Sequence, residues 1–128
     1  WQQITSTDMQ PFVHLLANDL QAIMPAHIIF SQIDNMPASL SSVWLKDILR
    51  QQLGFTGMIF SDCLSMQGSA AIVRDATTRA EVALMAGCDM ILICNDRNSV
   101  LEVLQHLQAP RNNDLTARIE LMRTYHGE

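Results

Sequence analysis

Short, almost entirely apolar runs alternate along the chain with longer segments of helical periodicity. Gly57 to Ser61 is the clearest of these runs and predicts a strand. Asp89 to Cys94 predicts another, and Ala22 to Phe30 begins as a strand that Pro25 ends or bends. Because strands that are apolar on both faces are typical of sheets covered by helices, the pattern predicts an α/β fold with a parallel sheet.

Five segments carry the amphipathic spacing of helices. Their capping signals are Asp8 before the first, with Pro11 in its first turn, Ser41 before the second and Gly87 after the third. The predicted helices are Asp8 to about Ala17, Ser42 to about Leu53, about Thr77 to Ala86, Val100 to Leu107, and Leu115 to Tyr125.

The composition predicts that much of the surface faces other protein. Of the 128 residues, 48% are hydrophobic and only 16% are charged, against roughly 25% charged in an average soluble domain. A three-stranded parallel sheet would also leave two unpaired edges. We therefore expect residues 1–128 to form a single partial domain, a piece of a larger fold, which associates with itself or with a missing N-terminal part.

The charge and cysteine patterns narrow the possible partners. The formal net charge is -5, and no run of four like charges offers a stripe for nucleic acid or for an anionic membrane. No apolar stretch reaches the roughly 18 residues of a membrane span. The cysteines at positions 63, 88 and 94 lack CxxC spacing, so we expect reduced thiols packed as small hydrophobic residues in a cytoplasmic protein.

Polar residues follow each predicted strand, at the edge where parallel α/β folds carry their active sites. They are His27, Ser61 with Asp62, and the segment Cys94 to Asp96. Asp62 is the most informative of them. A carboxylate directly after an apolar strand costs free energy unless something at the strand end uses it.

Side-chain alternation gives the strand before Asp62 two faces. Met58, Phe60 and Asp62 share one face, and Ser61 and Cys63 share the other. If Phe60 points toward the axis of a barrel, Asp62 points into its mouth. Outside a complete barrel, Met58 and Phe60 would lose the core they pack against and would expose apolar surface. The alternative, that Asp62 only caps the turn after the strand, stays open on position alone.

The segment Gly57 to Met66 resembles the nucleophile strand of the bacterial β-N-acetylglucosaminidases of glycoside hydrolase family three. Those enzymes typically end this strand in Ser-Asp-Asp-Leu-Ser-Met, and the first Asp attacks the sugar. The resemblance covers about residues 8–107 and implies the C-terminal portion, strands six to eight, of a (β/α)8 TIM barrel. The other similar segments are Met24 to Ile28, Pro37 to Ser41 with Trp44 and Leu45, and Ala86 to Met90 with Cys94 and Asn95.

The activity that the resemblance implies is exo-cleavage of terminal N-acetylglucosamine from peptidoglycan fragments during cell-wall recycling. Asp62 would attack the anomeric carbon while an acid protonates the leaving oxygen, and water would then hydrolyse the glycosyl-enzyme with net retention. Met24 and His27 would lie at the sugar site. We expect no cofactor, and no metal because the histidines share no ligand spacing with one another or with a cysteine.

Two departures from the family pattern change this picture. Cys63 stands where the family has its second Asp, and we expect the change to affect local hydrogen bonding more than the attacking group. The family's acid/base is a His in a Lys-His-Phe-Pro-Gly-His-Gly type motif upstream of the nucleophile, and nothing in this chain matches that motif. We therefore expect the chain alone to be inactive.

Several alternatives remain open. His27 can be a structural residue whose ring nitrogens bond to neighbouring loop backbone, and Met24 can be part of the core. The whole chain can be a non-catalytic remnant of a barrel that serves as an interaction module. Two further classes of protein are rejected because the chain lacks their motifs. A flavodoxin-like binding module needs a Gly-rich phosphate loop, and a Ser-His-Asp hydrolase needs a GxSxG elbow.

Overall fold

In the computed structural model the chain forms a three-stranded parallel sheet with helices, which confirms the predicted α/β class. The structure describes residues 2–70, 73, 75–109 and 114–124. The strands are β1 (Ala22–Ile23), β2 (Met58–Cys63) and β3 (Met90–Leu92). Because β2 lies in the middle, β1 and β3 form the two edges of the described sheet.

Helices precede, separate and follow the strands. Within the described ranges, none of them has the length and apolar character needed to cross a bilayer. The last predicted helix was expected to end at Tyr125, which lies outside the described residues. The helices are α1 (Gln2–Ser6), α2 (Gln10–Leu16), a 3-10 helix (Ala38–Leu40), a π-helix (Val43–Gln52), α3 (Gln67–Ala70), α4 (Ala76–Ala86), α5 (Arg97–His106) and α6 (Leu115–Thr124).

Helix α4 ends before Gly87 as predicted, and it begins at Ala76, next to the predicted start at about Thr77. Asp75 caps its start, and its carboxylate accepts the N–H of Thr78 at 2.6 Å. Gly87 ends it with φ 125°, and the N–H of Gly87 bonds to the carbonyls of Ala83 and Leu84. A residue with a β-carbon would be strained in that conformation, so the glycine is required there.

The start of α2 differs from the prediction. Met9 occupies the cap position instead of Asp8, and no side chain caps the first turn. The N–H of Gln10, which a cap at Asp8 would satisfy, bonds instead to the carbonyl of Thr7 at 3.1 Å, so the backbone itself supplies the acceptor. Pro11 lies in the first turn as predicted, where its missing N–H costs no hydrogen bond.

The helix predicted after Ser41 forms with the wider hydrogen bonding of a π-helix. The N–H of Leu53, for example, bonds to the carbonyl of Ile48 at 2.9 Å. Ser41 caps the helix as predicted, because its Oγ accepts the N–H of Trp44 at 3.2 Å. The same hydroxyl donates to Asp34, which fixes the preceding loop to the helix start.

Strand β1 is much shorter than the predicted run from Ala22 to Phe30. It ends before Pro25, which has no N–H to continue a ladder. The chain then pairs locally, with an antiparallel bridge between Ile29 and Pro37 and a 2.9 Å bond from the N–H of Ala38 to the carbonyl of Ile28.

The core lies on the sheet face that the π-helix and α4 cover. Ile59, in the middle of β2, is 0% exposed and belongs to this core. The opposite face departs in part from the prediction. Phe60 is half-buried, but Met58 is only 1% exposed, so the expectation that Met58 loses its packing is wrong. Helix α6 packs against β2, so the chain itself covers this end of the strand.

Asp89, just before β3, is a buried charge with two ion-pair partners. Its side chain is 0% exposed, and it pairs with Arg50 at 2.6 Å and with Arg118 of α6 at 2.5 Å. It also accepts the N–H of Ile59 at 2.9 Å. Burial lowers the pKa of Arg50, and the charge of Asp89 opposes that shift. The cluster ties the π-helix, β2, β3 and α6 together at the amino end of the sheet.

Candidate active site

Asp62 lies near the carboxyl end of the central strand. Its Oδ1 accepts the N–H of Cys63 at 2.7 Å, and its Oδ2 accepts the N–H of His27 at 3.4 Å. The side chain is partly exposed, and no Lys, Arg or His of the described ranges forms an ion pair with it. The carboxylate is therefore oriented by backbone donors while solvent still reaches it. The contact with His27 joins two strand ends, which is more than capping a turn requires.

The pairing of β2 with β3 is irregular just before this carboxylate. The register shifts between Phe60 and Cys63, and Ser61 Oγ accepts the N–H of Leu92 at 3.0 Å in place of a carbonyl. Irregularities of this kind re-aim the side chains at a strand end. Ser61 is 0% exposed and bonded to the neighbouring strand, which agrees with the rejection of a serine nucleophile.

His27 is fixed through both ring nitrogens. Its Nε2 lies 3.0 Å from the carbonyl oxygen of Cys63, and its Nδ1 lies 2.5 Å from Ser39 Oγ. Because a carbonyl only accepts, Nε2 carries a proton, and in the neutral ring Nδ1 accepts from the hydroxyl of Ser39. This is the bonding expected of a structural histidine, and a contact of His27 with a sugar stays a prediction.

Close packing of the loop after β2 reinforces this arrangement. Gly68 of α3 lies so near His27 that a β-carbon at position 68 would be 2.8 Å from His27 Cβ. Only a glycine permits this approach without a shift of one segment. The ends of β1 and β2 are thus joined by Asp62, by the His27 ring and by this contact.

Met24, which the resemblance placed at the sugar site, borders an apolar cavity in the structure. It is 50% exposed and lines an apolar cavity of about 430 Å³ between α1, α2, the loop after β1 and the π-helix. Neither Asp62 nor His27 lines that cavity. A sugar needs several polar partners, so this cavity does not have the chemistry of a sugar site. The placement of Met24 near a sugar stays a prediction.

The polar residues after β3, Cys94 to Asp96, have different roles. Asp96 caps α5, because its carboxylate accepts the N–H of Ser99 at 3.0 Å and its hydroxyl at 2.6 Å. Asn95 adopts φ 56°, in the left-handed region that asparagine tolerates. Cys94 is exposed and faces the end of β2, where its N–H donates to the sulfur of Cys63 at 3.2 Å.

The cysteine prediction is confirmed at one position and wrong at two. Cys88 is buried in the core, as expected. Cys63, the last residue of β2, is half-buried, and Cys94, two residues beyond β3, is exposed. Among the described residues, no group of three or more His, Cys, Asp or Glu side chains is arranged to hold a metal ion.

Ser39 is the site residue that the sequence pattern did not indicate. It is 0% exposed, its hydroxyl fixes the ring of His27, and its N–H donates to the carbonyl of Ala26 at 3.2 Å. The only sequence signal was its place within Pro37 to Ser41, a segment that resembles the family. A small polar residue in a turn gives no local sign of a partner twelve positions away.

Comparison with known proteins identifies the family. Residues 1–120 match the model described as the glycosyl hydrolase family 3 N terminal domain, so the chain belongs to this family. A β-hexosaminidase of Methylobacillus flagellatus is 50% identical over 122 residues, which cover 95% of this chain and 35% of that protein. A β-hexosaminidase of Pasteurella multocida is 54% identical over 108 residues, 84% of this chain and 30% of that protein.

A solved structure gives the same result. NagZ from Neisseria gonorrhoeae, in complex with N-trifluoroacetyl-D-glucosamine, is similar with a TM-score of 0.85 and 36% identity. The similarity covers 94% of this chain and 34% of that one. The chain thus spans about a third of the length of the relatives it matches.

Proposed function

We propose that this chain supplies the nucleophile-bearing part of a retaining β-N-acetylglucosaminidase, with Asp62 as the nucleophile. Strands β1, β2 and β3 would then be strands six to eight of an eight-stranded barrel. Relatives named β-hexosaminidase at about 50% identity support the activity. The observation that carries the proposal is the carboxylate of Asp62, partly exposed at the carboxyl end of the central strand and oriented by backbone N–H groups.

The geometry distinguishes the two oxygens of Asp62. Oδ1 is held by the N–H of Cys63 at 2.7 Å, whereas Oδ2 has only the longer 3.4 Å contact with His27. Oδ2 is therefore the oxygen we assign to the attack. It would bond to the anomeric carbon as the bond to the leaving oxygen breaks. Water would then hydrolyse the glycosyl ester and return the carboxylate.

His27 is a positioning residue in this proposal and not the acid. Both of its ring nitrogens are engaged, by Ser39 and by the carbonyl of Cys63, so neither is available to protonate a leaving oxygen. The acid/base would come from the remainder of the protein, where the family resemblance implies a His on an upstream loop. His27 would instead fix the strand ends around Asp62.

The substrate we propose is terminal N-acetylglucosamine on peptidoglycan fragments, hydrolysed in the cytoplasm. N. gonorrhoeae NagZ is described with an N-acyl glucosamine bound, which supports this class of sugar. Met24 and the segment around His27 would lie beside the sugar, with the side chain of the half-exposed Met24 against its apolar face.

The same proposal accounts for the apolar surface beside β1. Met24, Ile28 and Ile29, in the segment that follows β1, are 50%, 54% and 48% exposed, and β1 itself is an edge strand of the described sheet. The preceding strand of a barrel would pair with β1 and cover this surface. Without it, we expect copies of the chain to associate with one another.

Recombination with the upstream part of a relative tests the proposal. The M. flagellatus segment that precedes the region similar to this chain would be fused to residues 1–128 and assayed with an aryl N-acetylglucosaminide. We expect turnover from the fusion and none from either part alone, because neither part holds both the nucleophile and the acid. Asp62→Asn should lower kcat by several orders of magnitude, since a nearly isosteric amide cannot attack.

Asp47→Asn, at an exposed position of the π-helix, is the matched control and should leave kcat unchanged. A slowly hydrolysed, fluorinated N-acetylglucosaminide with a good leaving group should attach to Asp62, as located by peptide mass mapping. Full turnover by Asp62→Asn would contradict the nucleophile assignment. A fusion that is folded by circular dichroism but inactive would instead favour the non-catalytic remnant.

A further inference from the structure

Two cysteines meet at the carboxyl ends of β2 and β3. Cys63 ends β2, and Cys94 lies two residues beyond β3. The sulfur of Cys63 accepts the N–H of Cys94 at 3.2 Å and lies 3.0 Å from Ser65 Oγ. The hydroxyl of Ser65 in turn donates to the carbonyl of Cys94 at 2.9 Å. The serine therefore connects the two strand ends and keeps the thiols adjacent.

The two thiols differ in acidity. Partial burial raises the pKa of Cys63, but hydrogen bonds with Ser65 and Cys94 outweigh it, so the pKa lies below its ordinary value. The hydrogen bond with Cys63, followed by the charge of Cys63, raises the pKa of Cys94. Cys88 provides a contrast, because burial raises its pKa to about 12. Cys63 is thus the more readily ionised thiol, and Cys94 is the exposed thiol beside it.

We propose that Cys63 and Cys94 form a peroxide-reactive thiol pair that closes to a reversible disulfide. The Cys63 thiolate would attack hydrogen peroxide, forming an S–O bond as the O–O bond breaks and hydroxide leaves. The Cys94 thiol would then attack that sulfur, forming the S–S bond and releasing the oxygen as water. Two thiols lose two electrons, and one peroxide becomes two waters. This proposal is independent of the hydrolase activity proposed above.

The backbone of Cys63 connects this pair to the carboxylate site. Its N–H holds Asp62, and its carbonyl accepts from the ring of His27. Closing a disulfide imposes a narrow geometry on both cysteines, so the end of β2 must adjust when it forms. We therefore expect oxidation to change the environment of His27 as well as the state of the two thiols.

The experiment uses the purified 128-residue chain. Hydrogen peroxide is added, remaining thiols are alkylated at intervals, and the digested peptides are assigned by mass spectrometry. We expect a Cys63–Cys94 linked peptide, reversed by dithiothreitol, and oxidation of Cys63 about tenfold faster than of Cys88. The ring proton resonances of His27 should shift on oxidation and return on reduction.

Three variants and one condition separate the proposal from random oxidation. Cys88→Ser should form the disulfide as the parent chain does. Cys94→Ser should stop at a Cys63 sulfenic acid, trapped by a cyclic dione, and Cys63→Ser should form no disulfide within the chain. The parent chain in urea should lose its preference for Cys63–Cys94, because loop closure in an unfolded chain favours the nearer pair, Cys88 and Cys94. Statistical linkage in the folded chain, or a persistent pair of thiols at 63 and 94, would overturn the proposal.

Discussion

Asp89 and Asp62 lie at opposite ends of the adjacent strands β2 and β3, and the protein surrounds the two carboxylates differently. At the amino end, Asp89 is fully enclosed between Arg50 and Arg118 and accepts a strand N–H. At the carboxyl end, Asp62 receives two backbone N–H groups and remains partly exposed. The charge of Asp89 is compensated by two arginines, whereas Oδ2 of Asp62 has only a 3.4 Å contact with a backbone N–H.

This difference matches the usual roles of the two strand ends in parallel α/β folds. Residues at the amino ends of the strands usually serve stability, and residues at the carboxyl ends serve chemistry. A buried charge needs partners because losing one of them leaves an uncompensated charge in a region of low polarity. A nucleophile must keep its charge accessible, because neutralising it would remove its reactivity. The comparison therefore predicts that the same substitution lowers stability much more at Asp89 than at Asp62.

The largest effect on stability is expected from Asp89→Asn. It leaves Arg50 and Arg118 without their shared counter-charge, and we expect a loss of about 3 kcal/mol in the free energy of unfolding. Asp62→Asn keeps an acceptor for the N–H of Cys63 and should cost less than about 1 kcal/mol. Urea unfolding, followed by circular dichroism at one protein concentration, measures both. Equal losses of stability in Asp89→Asn and Asp62→Asn would contradict the different roles of the two carboxylates.

The sequence indicated the role of Asp62, at the carboxyl end of the sheet, better than that of Asp89, at the amino end. Asp62 was indicated because it directly follows an apolar strand, and the resemblance to the family strengthened that reading. Asp89 begins an equally apolar strand, but its partners Arg50 and Arg118 lie 39 and 29 positions away. Local periodicity carries no information about such contacts, so the sequence predicted a strand there and no ion cluster.

The same limit applies to the details of the site. The βα order, the central strand and the glycine end of α4 follow from local pattern and were predictable. The contact of Cys63 with Cys94 joins residues 31 positions apart, and only the assembled sheet reveals it. The early end of β1 depends on Pro25, whose effect was expected, although local pattern left open whether the strand would bend or end there.

A smaller effect is expected from Arg118→Met, which removes only one of the two arginines at Asp89. Because Arg118 anchors α6 and is 17% exposed, we expect a loss of about 1–3 kcal/mol and faster hydrogen exchange in α6. Arg123→Met is the matched control on the same helix. Its ion pair with Glu120 is exposed, and such pairs contribute at most about 1 kcal/mol. Similar losses from both substitutions would show that α6 is not held through Asp89.

The smallest effect concerns a third carboxylate, Asp34, which is held by a hydroxyl instead of a cation. Its hydrogen bond with Ser41 is the main cause of a pKa below the ordinary value, and burial opposes it. A carboxyl whose pKa is lowered on folding adds stability above its unfolded pKa, about 4. That stability is lost as the pH falls through the lower folded pKa. Asp34→Asn should therefore lower the Tm slightly between about pH 5 and 7, and the difference should shrink between about pH 4 and 2.

Ser41→Ala separates this effect from a general loss of packing in the loop. It removes the hydroxyl that lowers the pKa of Asp34, so Asp34→Asn made in that background should change the Tm by less than it does alone. Ser41→Ala also leaves the N–H of Trp44 without its capping oxygen, a loss that should not depend on pH. Tm is measured at several pH values for the two single variants and the double variant. The pH-dependent part reports the charge of Asp34, and the constant part reports the lost cap at Trp44. A Tm difference for Asp34→Asn that stays constant down to pH 2.5, or additivity of the two substitutions at every pH, would mean that the hydroxyl does not hold the charge of Asp34.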